Sequence, residues 1–195
     1  YENVYFFFGF GLVANTRKIE ISTINKICFD PTNPCEDDID IRDIAHALSM
    51  MTRANGHFTE FYSVARHSVN CALEATARGY SKRVALFCLL HDSAESYIGD
   101  MTRPLKMHFP LFSEYEKKLQ KVIFSKYATL DIAEDEKEKV KSVDDSLLYH
   151  EFLCYHGDKL FDFTPEIHID VKDNSKNISE TEKEFLCMYE ALKIK

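Results

Sequence analysis

The sequence predicts an all-α fold with a small β-hairpin near the start of the chain. Two observations carry this. Stretch after stretch places apolar residues three and four apart, the period of an amphipathic helix, and one short segment alternates apolar with polar residues. A third observation sets the organisation. No internal repeat, low-complexity tract or linker interrupts the 195 residues, so residues 16–195 read as one domain behind an unexplained extension at 1–15.

The alternating segment is KIEISTINKICFDP, which reads as a hairpin over about 18–30, turning at Asn25-Lys26 and ending at Pro31. DPTNPCEDD follows, and its two prolines and acidic run make it a loop. A helical core over about 41–158 opens with DIRDIAHALSMMTR, where Ile41, Ile44, Ala45 and Leu48 share a face. TEFYSVARHSVNCALEATARG continues the pattern with Phe61, Val64, Ala65, Ala72 and Leu73, and Gly79 supplies a stop. Ser81 can cap SKRVALFCLLHDSAESYIG, which is apolar on most of its circumference and so belongs in the middle of the fold. SEYEKKLQKVIFSKYA is amphipathic. EDEKEKVKSVDDSLLYHEFLCYHG reads as a long helix with Val140, Val143, Leu147, Leu148 and Phe152 inward and a solvated charged start. A last helix spans about 179–193.

Composition bounds the function. A chain with 45% hydrophobic residues can build a real core at this length. Its net charge of −8 is a poor match for a nucleic-acid backbone, so no long nucleic acid is expected as a partner. A small anionic ligand stays compatible, because a bound metal ion reverses the local field. The six cysteines, at 28, 35, 71, 88, 154 and 187, form no CxxC and read as buried free thiols of a reducing compartment. The apolar run from Tyr5 to Val13 is too short for a bilayer core, which takes about 20 residues, and Glu2 stands where a signal peptide carries positive charge. A cytoplasmic protein without a membrane span is expected.

The chemistry concentrates in HDSAESYIGDMTRP. His91 and Asp92 end the most apolar helix, where a buried carboxylate gains nothing from the helix dipole and needs a cationic partner. His67 on the preceding helix and Asp144 on the long later one could converge with them on a single divalent ion. Glu95, three residues after Asp92, lies on the same side one turn on, where a carboxylate can hold or deprotonate a water. Spacing alone leaves the plainer alternatives standing: core histidines and a glutamate on a last helical turn.

RHS (Arg66–Ser68), HDSAE (His91–Glu95), GDMTRPLK (Gly99–Lys106) and VKSVDD (Val140–Asp145) occur in this order. Together they resemble the HD-domain superfamily of metal-dependent phosphohydrolases. Within it, they are most similar to the bacterial 5'-deoxynucleotidase-like branch and to phage-associated HD hydrolases. The latter carry DIAHAL and FYSVAxHS upstream, as this chain does at Asp43–Leu48 and Phe61–Ser68. The resemblance covers about residues 20–155 and implies an HD-type helical bundle.

It implies His67, His91, Asp92 and Asp144 as ligands of one divalent metal ion, with Mn, Co, Mg, Fe, Ni and Zn not distinguished. Asp145 is the neighbouring alternative to Asp144. It implies Glu95 as the catalytic carboxylate, Arg53 as a phosphate-binding arginine, and Asp100, Thr102 and Lys106 beside the substrate. Two departures stand out. Arg66 replaces a usual Glu or Gln before the first histidine, and the chain has no Trp, which the nucleotidases place beside the arginine.

The implied reaction is hydrolysis of the phosphate of a (deoxy)nucleoside 5'-monophosphate, a small-molecule substrate. Alternatives within the superfamily are a dNTP triphosphohydrolase, a nucleotide pyrophosphohydrolase and a cyclic-nucleotide phosphodiesterase. Outside it stands a non-catalytic nucleotide- or protein-binding module. A homodimer is an open alternative to a monomer. His46 reads as a core hydrogen-bonding residue, His57 as exposed, Phe58, Phe61 and Tyr62 as core, and Tyr97 as core or the border of a base pocket.

Overall fold

The computed structural model describes residues 21–128, 132–171 and 177–194. The extension at 1–15 and the first residues of the predicted hairpin lie outside the described residues. The described chain is all-α with one small antiparallel hairpin, as the periodicity predicts.

In the hairpin, β1 (Ile21–Ser22) pairs with β2 (Cys28–Phe29), Ile21 opposite Phe29. Lys26 takes a left-handed φ of 62° in the turn, and its N–H donates to the Thr23 carbonyl at 2.9 Å. The alternation then works as written: Cys28 faces out, while Phe29 is fully buried with its ring 4.4 Å from that of Tyr97. α1 (Ile41–Met50) starts where the Asp40 carboxylate accepts the Arg42 N–H at 2.8 Å.

α2 (Val64–Ala77) starts later than its sequence pattern suggests. Residues 52 and 63 form an antiparallel bridge, with the Arg53 N–H on the Tyr62 carbonyl at 2.8 Å and the Val64 N–H on that of Met51 at 3.0 Å. The bridge keeps Thr59–Tyr62 out of the helix, and Ser63 becomes the cap, accepting the Arg66 N–H at 3.1 Å. Phe61 and Leu73, expected inward, are 49% and 36% exposed for this reason and because Leu73 falls on the outer face of α2. Gly79 stops the helix at a φ of 73°, a conformation that favours glycine.

α3 (Lys82–Leu90) is capped by Ser81, and every residue from Val84 to Leu90 is buried. Burying Leu86, Phe87, Leu89 and Leu90 contributes about 2 kcal/mol each. α2, α7, α8 (Ile178–Leu192) and α6 (Pro110–Ala128) surround it, α7 being Glu134–Tyr155. The predicted continuous helix over 81–99 is broken. After Leu90 the chain tightens into i→i−3 bonds, Ser93 N–H to Leu90 at 3.1 Å and Glu95 N–H to Asp92 at 3.0 Å. It resumes as α4 (Glu95–Ile98), and α5 (Arg103–Lys106) follows.

A side chain from α6 sits in the break. The Gln120 amide nitrogen donates to the Leu90 carbonyl at 2.7 Å, and its oxygen accepts the Ala94 N–H at 3.0 Å. These are the two groups that a regular helix would bond to each other, and an inserted side chain is a recognised cause of a kink.

The charged start of α7 is a solvated face with Lys137–Glu134 and Lys139–Asp135 pairs at 2.9 Å. The six cysteines are free. The expectation that they are buried holds for Cys71 and Cys88 only, because Cys28, Cys35 and Cys187 fall on outward positions of their elements and Cys154 is half-buried. Among the described residues no helix is long and apolar enough to cross a membrane.

Candidate functional site

Three helices bring four side chains to one point. His67 comes from α2, His91 and Asp92 from the turn that follows α3, and Asp144 from α7. His67 Nε2 lies 3.3 Å from His91 Nε2, 3.2 Å from Asp144 Oδ1 and 3.8 Å from Asp92 Oδ2. His91 Nε2 lies 3.2 Å from Asp92 Oδ2 and 3.7 Å from Asp144 Oδ1. Donors held at about 2.1 Å by a common ion stand about 3–3.5 Å apart, so the set fits a divalent cation in spacing and in chemistry. Asp145, the neighbouring alternative, pairs instead with Lys141.

Each ring is fixed from behind. His91 Nδ1 donates to the Cys88 carbonyl at 2.7 Å, and His67 Nδ1 is held by Glu151 Oε1 at 2.7 Å, leaving both Nε2 atoms pointing at the gathering. Glu151 is fully buried and also accepts from the Tyr62 hydroxyl at 2.9 Å, which in turn accepts from Asn70 at 2.8 Å. Glu151 went unnoticed in the sequence, although it lies seven residues, two helical turns, after Asp144 on the same helix.

Cys71, which the sequence marks only as a buried free thiol, lies one turn after His67. Its Sγ is 3.5 Å from His67 Nε2, and the His67–Cys71–His91 group could hold a metal ion. Burial pushes its thiol well above the ordinary range, so it is a protonated and poor donor for a hard ion.

Electrostatics show how much positive charge the gathering attracts. Burial raises the Asp92 and Asp144 carboxyls, yet the nearby histidines outweigh it, and both end below the usual carboxylate range. Burial likewise opposes the charge on His91, but Asp92 and Asp144 hold it well above its ordinary value. Positive charge beside these two carboxylates is therefore favoured, as a bound cation would supply it.

Arg53 stands beside the group, its Nη1 donating to Asp92 Oδ2 at 3.2 Å and its Nη2 3.6 Å from Glu151 Oε2. Burial works against its charge, and Glu151, Asp92, Asp144 and Glu95 more than restore it. The two residues after it, Ala54 and Asn55, both adopt left-handed backbone, with φ of 51° and 49°.

The group opens into a cleft of ≈ 410 Å³. Arg53, Asp92, Glu95, Asp100, Thr102, Lys106 and Asp144 line it, with Leu148, Phe152 and Leu160 on the apolar side. Glu95 is 6% exposed, and burial, followed by the charges of Asp92 and Asp100, pushes its carboxyl up to about 10. The i→i−3 turn stacks it over Asp92, since residues three apart eclipse in such a turn. Lys106 reaches Glu116 at 2.7 Å.

Other titratable residues fall elsewhere. Arg66 turns away from the site: its Nη2 bonds Thr181 at 3.1 Å and pairs with Glu184 at 2.7 Å on α8. His46 bonds Glu182 at 3.0 Å, tying α1 to α8, and His57 is exposed. Tyr97 is core, its hydroxyl accepting the Asp40 N–H at 3.2 Å.

No family model matches the chain. It is similar to YfdR of Escherichia coli, an uncharacterised protein, at 40% identity over 92 residues, which is 47% of this chain and 49% of that one. An uncharacterised protein of Rhodobacter capsulatus is 44% identical over 82 residues, 40% of this chain and 41% of the other. The chain spans about half the length, or less, of the curated relatives it matches.

Proposed function

We propose that this chain is a metal-dependent phosphohydrolase of the HD-domain superfamily, acting on (deoxy)nucleoside 5'-monophosphates. One observation carries the reading: two imidazoles and two carboxylates within 3.8 Å of His67 Nε2 or His91 Nε2, the carboxylates lining a cleft that also holds a buried carboxyl and an arginine. His67, His91, Asp92 and Asp144 would hold one divalent ion, and Cys71 would add a donor for a thiophilic one. Bound there, the ion supplies Lewis acidity to a phosphoryl oxygen and makes a water easier to ionise.

The chain's own residues do the rest. Glu95 faces the cleft one turn beyond Asp92, where it orients the attacking water and takes its proton. A nearby cation would bring its raised pKa down toward that task. Arg53 is buried, charged and held at two points, so it meets the phosphoryl oxygens with little reorganisation. Lys106 adds positive charge at the rim. Asp100 and Thr102 offer polar contacts to the sugar, and the Leu148–Phe152–Leu160 side suits the flat face of a base. On this reading the partner is a small nucleotide met in the cytoplasm, and no nucleic-acid groove or membrane surface is involved.

The test is hydrolysis of dNMPs, dNTPs and cyclic dinucleotides, read by chromatography of the products, by protein stripped and reloaded with Mn, Co or Mg. Nucleoside monophosphates are the expected substrates. His91→Ala should lose the metal, whereas Glu95→Gln should keep it and lose turnover. A wild type that takes up no divalent ion and cleaves no nucleotide would refute the proposal.

A further inference from the structure

Asp92 and Glu95 both line the cleft, and the turn that carries them is bonded by a side chain from another helix. In a regular α-helix, residues three apart are about 60° out of register, whereas in the tighter turn they eclipse. Apolar burial along α3 and the local sequence both favour a regular helix. The Leu90 carbonyl and the Ala94 N–H would close its next bond. Gln120 takes both groups instead, donating to one at 2.7 Å and accepting from the other at 3.0 Å.

The Ala94 N–H, buried at the break, needs an acceptor; the Gln120 amide supplies it, and its nitrogen adds a second donor to the Leu90 carbonyl, which also accepts the Ser93 N–H at 3.1 Å. Gln120 is itself anchored by its neighbour Leu119, which is fully buried on α6. Ala94, at 1% exposure, and Ser93, at 0%, then point into the core, and Glu95 turns into the cleft.

We propose that Gln120 is a positioning residue: its amide, wedged into the α3–α4 ladder, holds the break that sets Glu95 over Asp92. This rests on the phosphohydrolase reading for its consequence in catalysis, although not for the break itself. Metal ligation is spared on this view. His67 and Asp144 lie on other helices, and although His91 and Asp92 lie between the two groups Gln120 holds, the His91 ring is fixed separately by the Cys88 carbonyl at 2.7 Å and Asp92 by Arg53 Nη1 at 3.2 Å.

Two variants test it. Gln120→Met keeps length and volume but can neither donate nor accept. Gln120→Glu keeps an acceptor for Ala94. Hydrogen exchange of the amides from Ser93 to Ile98 in metal-free protein reads the break, Mn2+ titration reads the ligands, and kcat and KM with a nucleoside monophosphate read positioning.

The expected result for Gln120→Met is an exchange rate changed at least tenfold at Ala94 and Glu95. Mn2+ affinity should stay within twofold, with a 10–100-fold loss in kcat at little change in KM. Gln120→Glu should fall between that variant and the wild type. Wild-type exchange in Gln120→Met would overturn the wedge. Altered exchange with wild-type kcat would overturn the positioning role, and Mn2+ affinity lost in step with kcat would show that the effect runs through the ligands. If Gln120→Met does not fold, Gln120→Glu decides by the same three measurements. If the wild type hydrolyses no nucleotide, the phosphohydrolase reading falls while the exchange result still decides the wedge.

Discussion

Changing Glu151 to Gln is expected to weaken metal uptake without touching a metal-facing atom. Glutamine keeps the volume and the Oε1 acceptor in a fully buried position. What disappears is the charge that receives the His67 Nδ1–H at 2.7 Å, the Tyr62 hydroxyl at 2.9 Å and the field of Arg53 at 3.6 Å. Hydrogen bonds to a charged group contribute about 1.5–3 kcal/mol and neutral ones about 0.5–1.5, so the His67 bond alone loses about 1–1.5 kcal/mol. The loss of imidazole basicity toward a cation adds to it, and supporting carboxylates of this kind are worth about 10–100-fold in metal affinity. Isothermal titration of Mn2+ into stripped protein should show that fall. Tyr62→Phe removes one of the hydrogen bonds to Glu151, along with the Asn70 bond to the hydroxyl, but leaves the charge, and should cost less than about threefold in Mn2+ affinity. A Glu151→Gln protein that folds and binds Mn2+ within twofold of wild type would refute the reasoning.

Three further outcomes follow from the same geometry. Metal-free Glu95→Gln should be more stable than the wild type at pH 9, by at least about 1 kcal/mol in urea unfolding. The native carboxyl holds its proton up to about 10 while the unfolded one releases it near 4.5, so wild-type stability declines as pH rises between these values. Equal stability of the two proteins at pH 5 and at pH 9 would count against the burial of Glu95. Ala54→Gly should gain about 1 kcal/mol, since a residue with a Cβ is strained at its φ of 51°, and an unchanged or lower midpoint in urea would contradict this strain. Cys71→Ala should leave Mn2+ affinity within threefold but weaken Cd2+ binding at least tenfold, whereas a large loss of Mn2+ would shift the ion toward the His67–Cys71–His91 group.

Much of the helical framework can be read from the chain because its signals are local. Asp40, Ser63, Ser81 and Asn177 each cap a helix with their own side chains, and Gly79 ends one. The motifs single out His67, His91, Asp92 and Asp144 as candidates, and the packing brings both carboxylates within 3.8 Å of the two imidazoles. What resisted reading depends on distant partners. The start of α2 is set by the pairing of Thr52 with Ser63, and the break after Leu90 by an amide 30 residues further on. The orientation of Arg66 depends on Glu184 and Thr181, which come from the last helix. Glu151 was within reach, since its distance from Asp144 puts both on one helix face, but a glutamate among charged neighbours gives no sign of burial.

The origin of the four donors has a thermodynamic consequence. They come from α2, the turn after α3, and α7, at positions 67, 91, 92 and 144, so only the packing of these helices brings them together. Whatever binds to all four discriminates between the folded and the unfolded chain. It raises the unfolding free energy of the core by mass action, by about 2.7 kcal/mol at a hundredfold excess over Kd. Melting curves taken across a series of divalent ions would therefore rank them by affinity, before any substrate is known.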